Sequence, residues 1–262
     1  MRIGWIAALP ALMLLTAGPA AAQTADPVVV TNPSWASIPS GADMSEVYPG
    51  FAIAAGLDGD VTLRCVARAD GVLDLCEVMN ATPSGLGFDR AGLSLSRLFR
   101  THPLRVGGTE AKSTVQFTIR FRPAPYEAAP PWTGPEPDAG HLQAVRAMIE
   151  AMRPAAEREF EQSLDDLDVD PDRAATARAI VQQTRSEFDA REREAAALAM
   201  ARLLTPEQFA TMTSGRGMPP TPSDDLFARA GGEVTAVMEE KVQRIKALYC
   251  ARYDCPVLTP AP

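Results

Sequence analysis

The sequence predicts an α+β chain: a small three-stranded antiparallel sheet with two helices, in the order αββαβ, followed by an all-α helical bundle domain. Three observations carry this. Residues 61–68 and 72–79 alternate apolar with polar side chains about Asp70-Gly71. Residues 115–121 alternate in the same way. After a proline-rich break at 123–138, the apolar residues fall at helical spacing.

The chain opens with Arg2, an apolar run at 3–15, and small residues ending Ala20-Ala21-Ala22-Gln23, the order of a secretory signal cleaved after Ala22. The run is shorter than the roughly 20 residues a membrane span needs, and Pro10 and Pro19 interrupt it. Residues 1–22 are therefore read as a signal peptide, and the mature protein is expected in the periplasm. The alternative is an uncleaved inner-membrane anchor. Cleavage removes Arg2 from the 25 basic residues, leaving 24 against 33 acidic ones, a net of −9. That balance argues against nucleic acid, whose binding leans on clustered Lys and Arg, and against anionic lipid. About 240 residues then remain, enough for two modest domains.

Four cysteines in an exported chain point to disulfides, and four thiols allow three pairings. Cys65 and Cys76 flank a turn, while Cys250 and Cys255 lie five apart near the C-terminus; those two pairs are expected. No CxxC is present, so neither the zinc nor the redox spacing applies.

Residues 23–43 carry Pro27, Pro33, Pro39 and Gly41 without a lasting period and read as an extended linker, in which 28–30 could pair as an extra strand. The first domain spans 44–123. Pro49 suits the first turn of a short helix and Gly56 its end, with Phe51 and Ala55 facing inward. Asp70-Gly71 between alternating runs signals a hairpin. If those two are the central turn residues, Cys65 lies opposite Cys76, Arg64 opposite Glu77 and Leu63 opposite Val78. Phe88, Ala91, Leu95, Leu98 and Phe99 form one helical stripe, closed by Pro103, and residues 113–122 make the last strand.

Six prolines between 123 and 137 make residues 124–138 a semi-rigid linker. The helical domain, 139–256, is expected to begin with helices from 141 to 152 and on past Pro154. Asp170-Pro171 starts a long Ala-rich helix to Leu204. Thr205-Pro206-Glu207-Gln208 forms a capping box, Ser223 caps a last helix, and Gly231-Gly232 breaks it.

Tyr48-Pro49 followed by Ala52, Gly59-x-Val61, Asp70-Gly71-Val72, Phe88-Asp89 with Ala91, Phe99 before Pro103, and Phe117-x-Ile119-x-Phe121 occur in one order and spacing. In this, residues 48–122 resemble the C-terminal domain of the TonB family. The resemblance implies a non-catalytic module that takes up an extended segment of an outer-membrane or other envelope protein along a sheet edge, in transport across the envelope. By that likeness Gln116, Thr118 and Arg120 are the peptide-binding edge-strand positions, with Tyr48 and Pro49 where the chain enters the domain. A membrane-anchored energy transducer is the alternative. Residues 3–15, however, hold no Ser or His to couple to a proton channel, 23–47 is short for a spacer, and a helical domain follows the module.

No catalytic residue, cofactor or metal site is expected. The acidic run Asp165, Asp166, Asp168, Asp170, Asp172 has the alternation of a calcium loop. Counted from Asp166, though, Pro171 stands at the required glycine and Ala177 at the required glutamate; from Asp168, Arg173 and Ala179 stand there. It reads as a solvated helix start. His102 and His141 are too few for a His-rich site, and no nucleophile elbow or phosphate-binding loop occurs. An enzyme or inhibitor would need a constellation within 139–256.

Overall fold

The computed structural model describes residues 29–31, 33–106, 109–124 and 127–255; the expected signal peptide, 1–22, lies outside them. In chain order the elements are β1 (Val29–Thr31), β2 (Trp35–Ser37), α1 (Gly41–Glu46), α2 (Gly50–Ala54), β3 (Gly59–Ala67), β4 (Leu73–Thr82), α3 (Phe88–Ser96), β5 (Arg100–Thr101), β6 (Leu104–Val106), β7 (Thr109–Ala111) and β8 (Ser113–Phe121), followed by helices α4 (Ala139–Ser163), α5 (Pro171–Leu203), α6 (Pro206–Thr213), α7 (Asp224–Ala230) and α8 (Gly232–Cys250).

The main sheet has four strands, not the expected three, in the order β1-β8-β3-β4. β3 pairs antiparallel with both β4 and β8, and β1 adds parallel to β8. The extra strand comes from the segment read as an extended linker, close to residues 28–30, which the sequence offered as a possible added strand. Val29 and Val30 are β-branched and free of proline, so they suit a pleated edge. β2 pairs with β5, and Trp35 packs within 4.8 Å of both Phe99 and Phe117.

The hairpin holds two compensating shifts. Its turn begins one residue earlier than expected: Arg68 N–H donates to Val72 O and Gly71 N–H to Arg68 O, with Gly71 at φ 82°. Pairing next to the turn is therefore displaced, Val66 facing Asp74 and Ala67 facing Leu73. Leu75, at φ 49°, then bulges outward and restores the expected register, so that Arg64 faces Glu77, Leu63 faces Val78, and Cys65 is bonded to Cys76. A second bulge at Met79 shifts the pairing once more.

α2 and α3 cover the apolar face of the sheet. Phe51 and Ala55 are fully buried, as expected, and so are Val61, Leu63 and Phe121. Leu98 is 45 % exposed, contrary to the expected stripe, because α3 stops at Ser96 and the helical phase is lost before it.

α5 is the central strut, packed on α4 and α8. Pro154 lies inside α4 without ending it, and Gly231 separates α7 from α8 as expected. Ala197 and Ala201 bring α5 close to Val145 and Phe209. The charges of α5 reach across to its neighbours: Glu194 pairs with Arg146, Arg191 with Glu240, Glu192 with Lys241, and Glu187 with Arg244.

Bonds from Arg244 and then Gln183 hold the exposed Glu187 carboxyl at about 2, below its ordinary 4.5. A depressed folded value means the pair stabilises above the ordinary value and fades as pH falls toward 2. A melting curve taken between those pH values should therefore fall more gently in Arg244→Gln than in the unchanged chain. Equal slopes would show that the pair contributes nothing.

Candidate functional site

A β-sheet module can act through its edges, where unpaired main-chain groups remain. This sheet has two. β4 is one edge along its whole length, but both bulges lie on it, and they turn Leu75 and Met79 outward, 81 % and 44 % exposed. Asp74 and Glu77 add charge. Bulges and charges together are how sheets blunt an edge against pairing.

β8 is the other candidate, and here the expectation of an open edge over residues 113–122 is corrected in part. Val29, Val30 and Thr31 pair with Thr114, Val115 and Gln116, so the outer side of β8 is occupied at Gln116. Beyond it, over residues 117–121, no strand among the described residues pairs with that side. Thr118 and Arg120 lie on this open part, and Gln116 lies at the boundary.

The side chains of all three point to the solvent face of the sheet, since Val115, Phe117, Ile119 and Phe121 point into the core. Thr118 shares a 2.9 Å hydrogen bond with Thr62, and Gln116 accepts one of 3.2 Å from Arg64. Arg120, opposite Asp60, is exposed. These cross-strand pairs fix the register of β8 on β3 and leave the main chain of residues 117–121 as the feature offered outward.

Tyr48 and Pro49 have a different place. Pro49 is buried at the N-cap of α2. The Tyr48 hydroxyl donates to Leu57 O at 2.8 Å, and its ring meets Phe88 and Phe121 edge-on at 5.8 and 5.7 Å. Burial, reinforced by Asp58, pushes its phenol well above the usual value, so Tyr48 stays a neutral donor. The pair closes the core at the end of β8 and does not reach its outer edge.

The helical part docks on the module through α2, the loop before α3 and α3 itself. Phe51 packs against Tyr249 with ring centres 5.0 Å apart, Phe51 N–H donates to Leu167 O, and Asp170 N–H donates to Gly85 O. The acidic run is part of this joint and not simply a solvated helix start: Arg90 reaches Asp168 at 2.8 Å and Asp170 at 2.9 Å, while Arg178 reaches Asp165 at 2.7 Å within the helical part. Nothing in the residue pattern announced this, although Gly50 and Gly87 permit it. A Cβ at either would collide with the main-chain oxygen of Asp166 or Asp168, at 2.9 and 2.5 Å.

His141 is buried with its Nε2 2.8 Å from Leu204 O, and Phe209 lies edge-on to its ring, so its polar atom is satisfied within the fold. His102 is exposed and held by its N–H to Ser34 O. Among the described residues no His, Cys, Asp and Glu cluster could hold a metal ion, and no helix is long and apolar enough to cross a membrane. Cys250 is bonded to Cys255, beside Tyr253, over whose ring the Arg173 guanidinium lies at 4.5 Å.

Residues 44–123 match the family model of the Gram-negative bacterial TonB protein C-terminal. No curated protein matches the chain.

Proposed function

We propose that the TonB-C-like module is a non-enzymatic binding domain of the Gram-negative envelope that accepts an extended segment of an outer-membrane or other envelope protein in support of transport. The observation that carries this reading is the open main chain of residues 117–121 in a strand otherwise fixed on both sides. β-Augmentation there needs only main-chain groups in register, and the adjoining Thr118 and Arg120 side chains offer polar contacts to a partner's own side chains. The blunted β4 makes β8 the better acceptor of the two edges. Two disulfides fit an exported protein in an oxidising compartment.

The helical part acts as a support in this reading. Its docking on α2 and α3 stiffens the module. A rigid support suits an acceptor edge, since each loose degree of freedom lost on binding lowers affinity.

The test is a photoreactive amino acid placed at Thr118 in one variant and at Glu77 in another, in the full chain within living cells. Cross-links from position 118 should map to one extended segment of an envelope protein. Equal yield from position 77, or none from 118, would remove the β8 edge as the site.

A further inference from the structure

Resting on the β8 reading above, we infer that β1 is an intramolecular occupant of the acceptor edge, which a partner segment must displace to engage the whole of β8. β1 is short where the other contacts of the sheet are long: it makes three register pairs with β8, against nine between β8 and β3. It is also the one parallel pairing among the described strands of this sheet.

Its side chains hold it lightly. Val29 is 49 % exposed and Thr31 is exposed, and Val30 alone packs against the core. By contrast the chain just after it is anchored, through Trp35 between Phe99 and Phe117 and through the β2–β5 pairing. The segment can therefore leave the edge while Trp35 and β2 stay in place.

Geometry makes the two occupants exclusive. A strand added along residues 117–121 and extended toward Thr114 meets β1 at Gln116, on the same donors and acceptors. A short partner confined to 117–121 gains few main-chain bonds, whereas one that replaces β1 can pair from Thr114 to Phe121. β1 thus sets a threshold: weak, short segments are refused and longer ones admitted. Affinity measured on the unchanged chain is lowered by the fraction of time the edge stands closed.

The chain itself supplies the probe, a labelled synthetic peptide of residues 26–33. Two full-length variants open the edge: Val30→Pro, in which proline removes a main-chain donor and fixes φ away from the strand value, and a chain from which residues 29–31 are deleted. Melting temperature and circular dichroism first establish that both remain folded. Fluorescence anisotropy should then show the peptide binding either variant roughly tenfold or more tighter than the unchanged chain. Amide signals of Thr114, Val115 and Gln116 should shift only in the variants.

Equal binding to variants and unchanged chain would overturn the occupant role of β1 and leave the acceptor edge standing. Binding to none of them, with both variants folded, would overturn the acceptor edge itself, and with it the function proposed above. A third variant, Val29→Cys with Thr114→Cys, ties β1 in place. It should bind the peptide no better than the unchanged chain, and tighter binding by this tied form would also count against the idea.

Discussion

Replacing Phe51 by alanine is expected to lower the unfolding free energy by about 3–5 kcal/mol, the range for deleting a buried aromatic side chain that its surroundings cannot refill. Phe51 is fully buried in α2, its ring tilted against Tyr249 of α8. Its cluster runs without a break from Val61, Leu63 and Phe121 in the module to Ala177, Ile180 and Ile245 in the helices. The largest core of the molecule thus crosses from one half of the chain to the other. Hydrogen exchange followed in rising urea on β3 amides and on α5 amides should show both losing protection together, since sheet and helices share the residue removed. Leu98→Ala, at a 45 % exposed position, should change stability by no more than about 0.5 kcal/mol. If Phe51→Ala shifted only the sheet signal and left the helices as stable as before, the shared core would be a contact without energetic weight.

That shared core also marks where the sequence was readable and where it was not. Elements with a strong local period came through with their boundaries: β8 from the alternation of Val115, Phe117, Ile119 and Phe121, α5 from Asp170-Pro171 onward, and α6 from its Thr205 and Gln208 capping box. The register of Cys65 against Cys76 was readable because the two bulge-like shifts, at the turn and at Leu75, cancel before the cysteines are reached. Neither shift has a local signature, since a leucine at φ 49° is held there by the strands around it. The joint between sheet and helices was unreadable for a related reason. Arg90 and Asp168 are 78 positions apart, and an exposed arginine on an amphipathic helix looks the same whether it meets water or a distant carboxylate.

The candidate site falls between these cases. Residues 113–122 could be read as a strand that ends the module, and Thr118 and Arg120 do lie on its open part. The chance of an extra strand at 28–30 was legible, but its place beside β8 was not. Three residues are too short for periodicity to report, and parallel pairing with a strand more than eighty residues away depends on tertiary placement of the N-terminal segment. Tyr48-Pro49, one part of the family likeness, closes the core, because a tyrosine with its hydroxyl on Leu57 O and its ring on two phenylalanines is a packing residue first.

Replacing both Cys65 and Cys76 by alanine is expected to cost about 2–3 kcal/mol, the loop-closure entropy that a cross-link over so short a loop removes from the unfolded chain. The loop spans 11 positions, against 5 for Cys250 and Cys255, so the hairpin pair should matter more than the C-terminal one. The hairpin pair has a second consequence that entropy alone does not describe. It sits between the bulges at Leu75 and Met79, where β4 pairs with β3 in three successive registers over one hairpin. Each bulge can migrate by one residue if nothing pins it, and a one-residue slip turns Cys76, Val78 and their neighbours to the opposite face. The bond is the fixed point between two movable ones. Hydrogen exchange should therefore show β4 amides losing protection in the double variant while those of β8 and α5 keep it. Uniform loss across the chain would indicate a purely global effect of the cross-link. If β4 alone loosens, the blunted edge depends on the disulfide that holds its bulges in place, and the double variant should self-associate through β4 in sedimentation experiments where the unchanged chain does not.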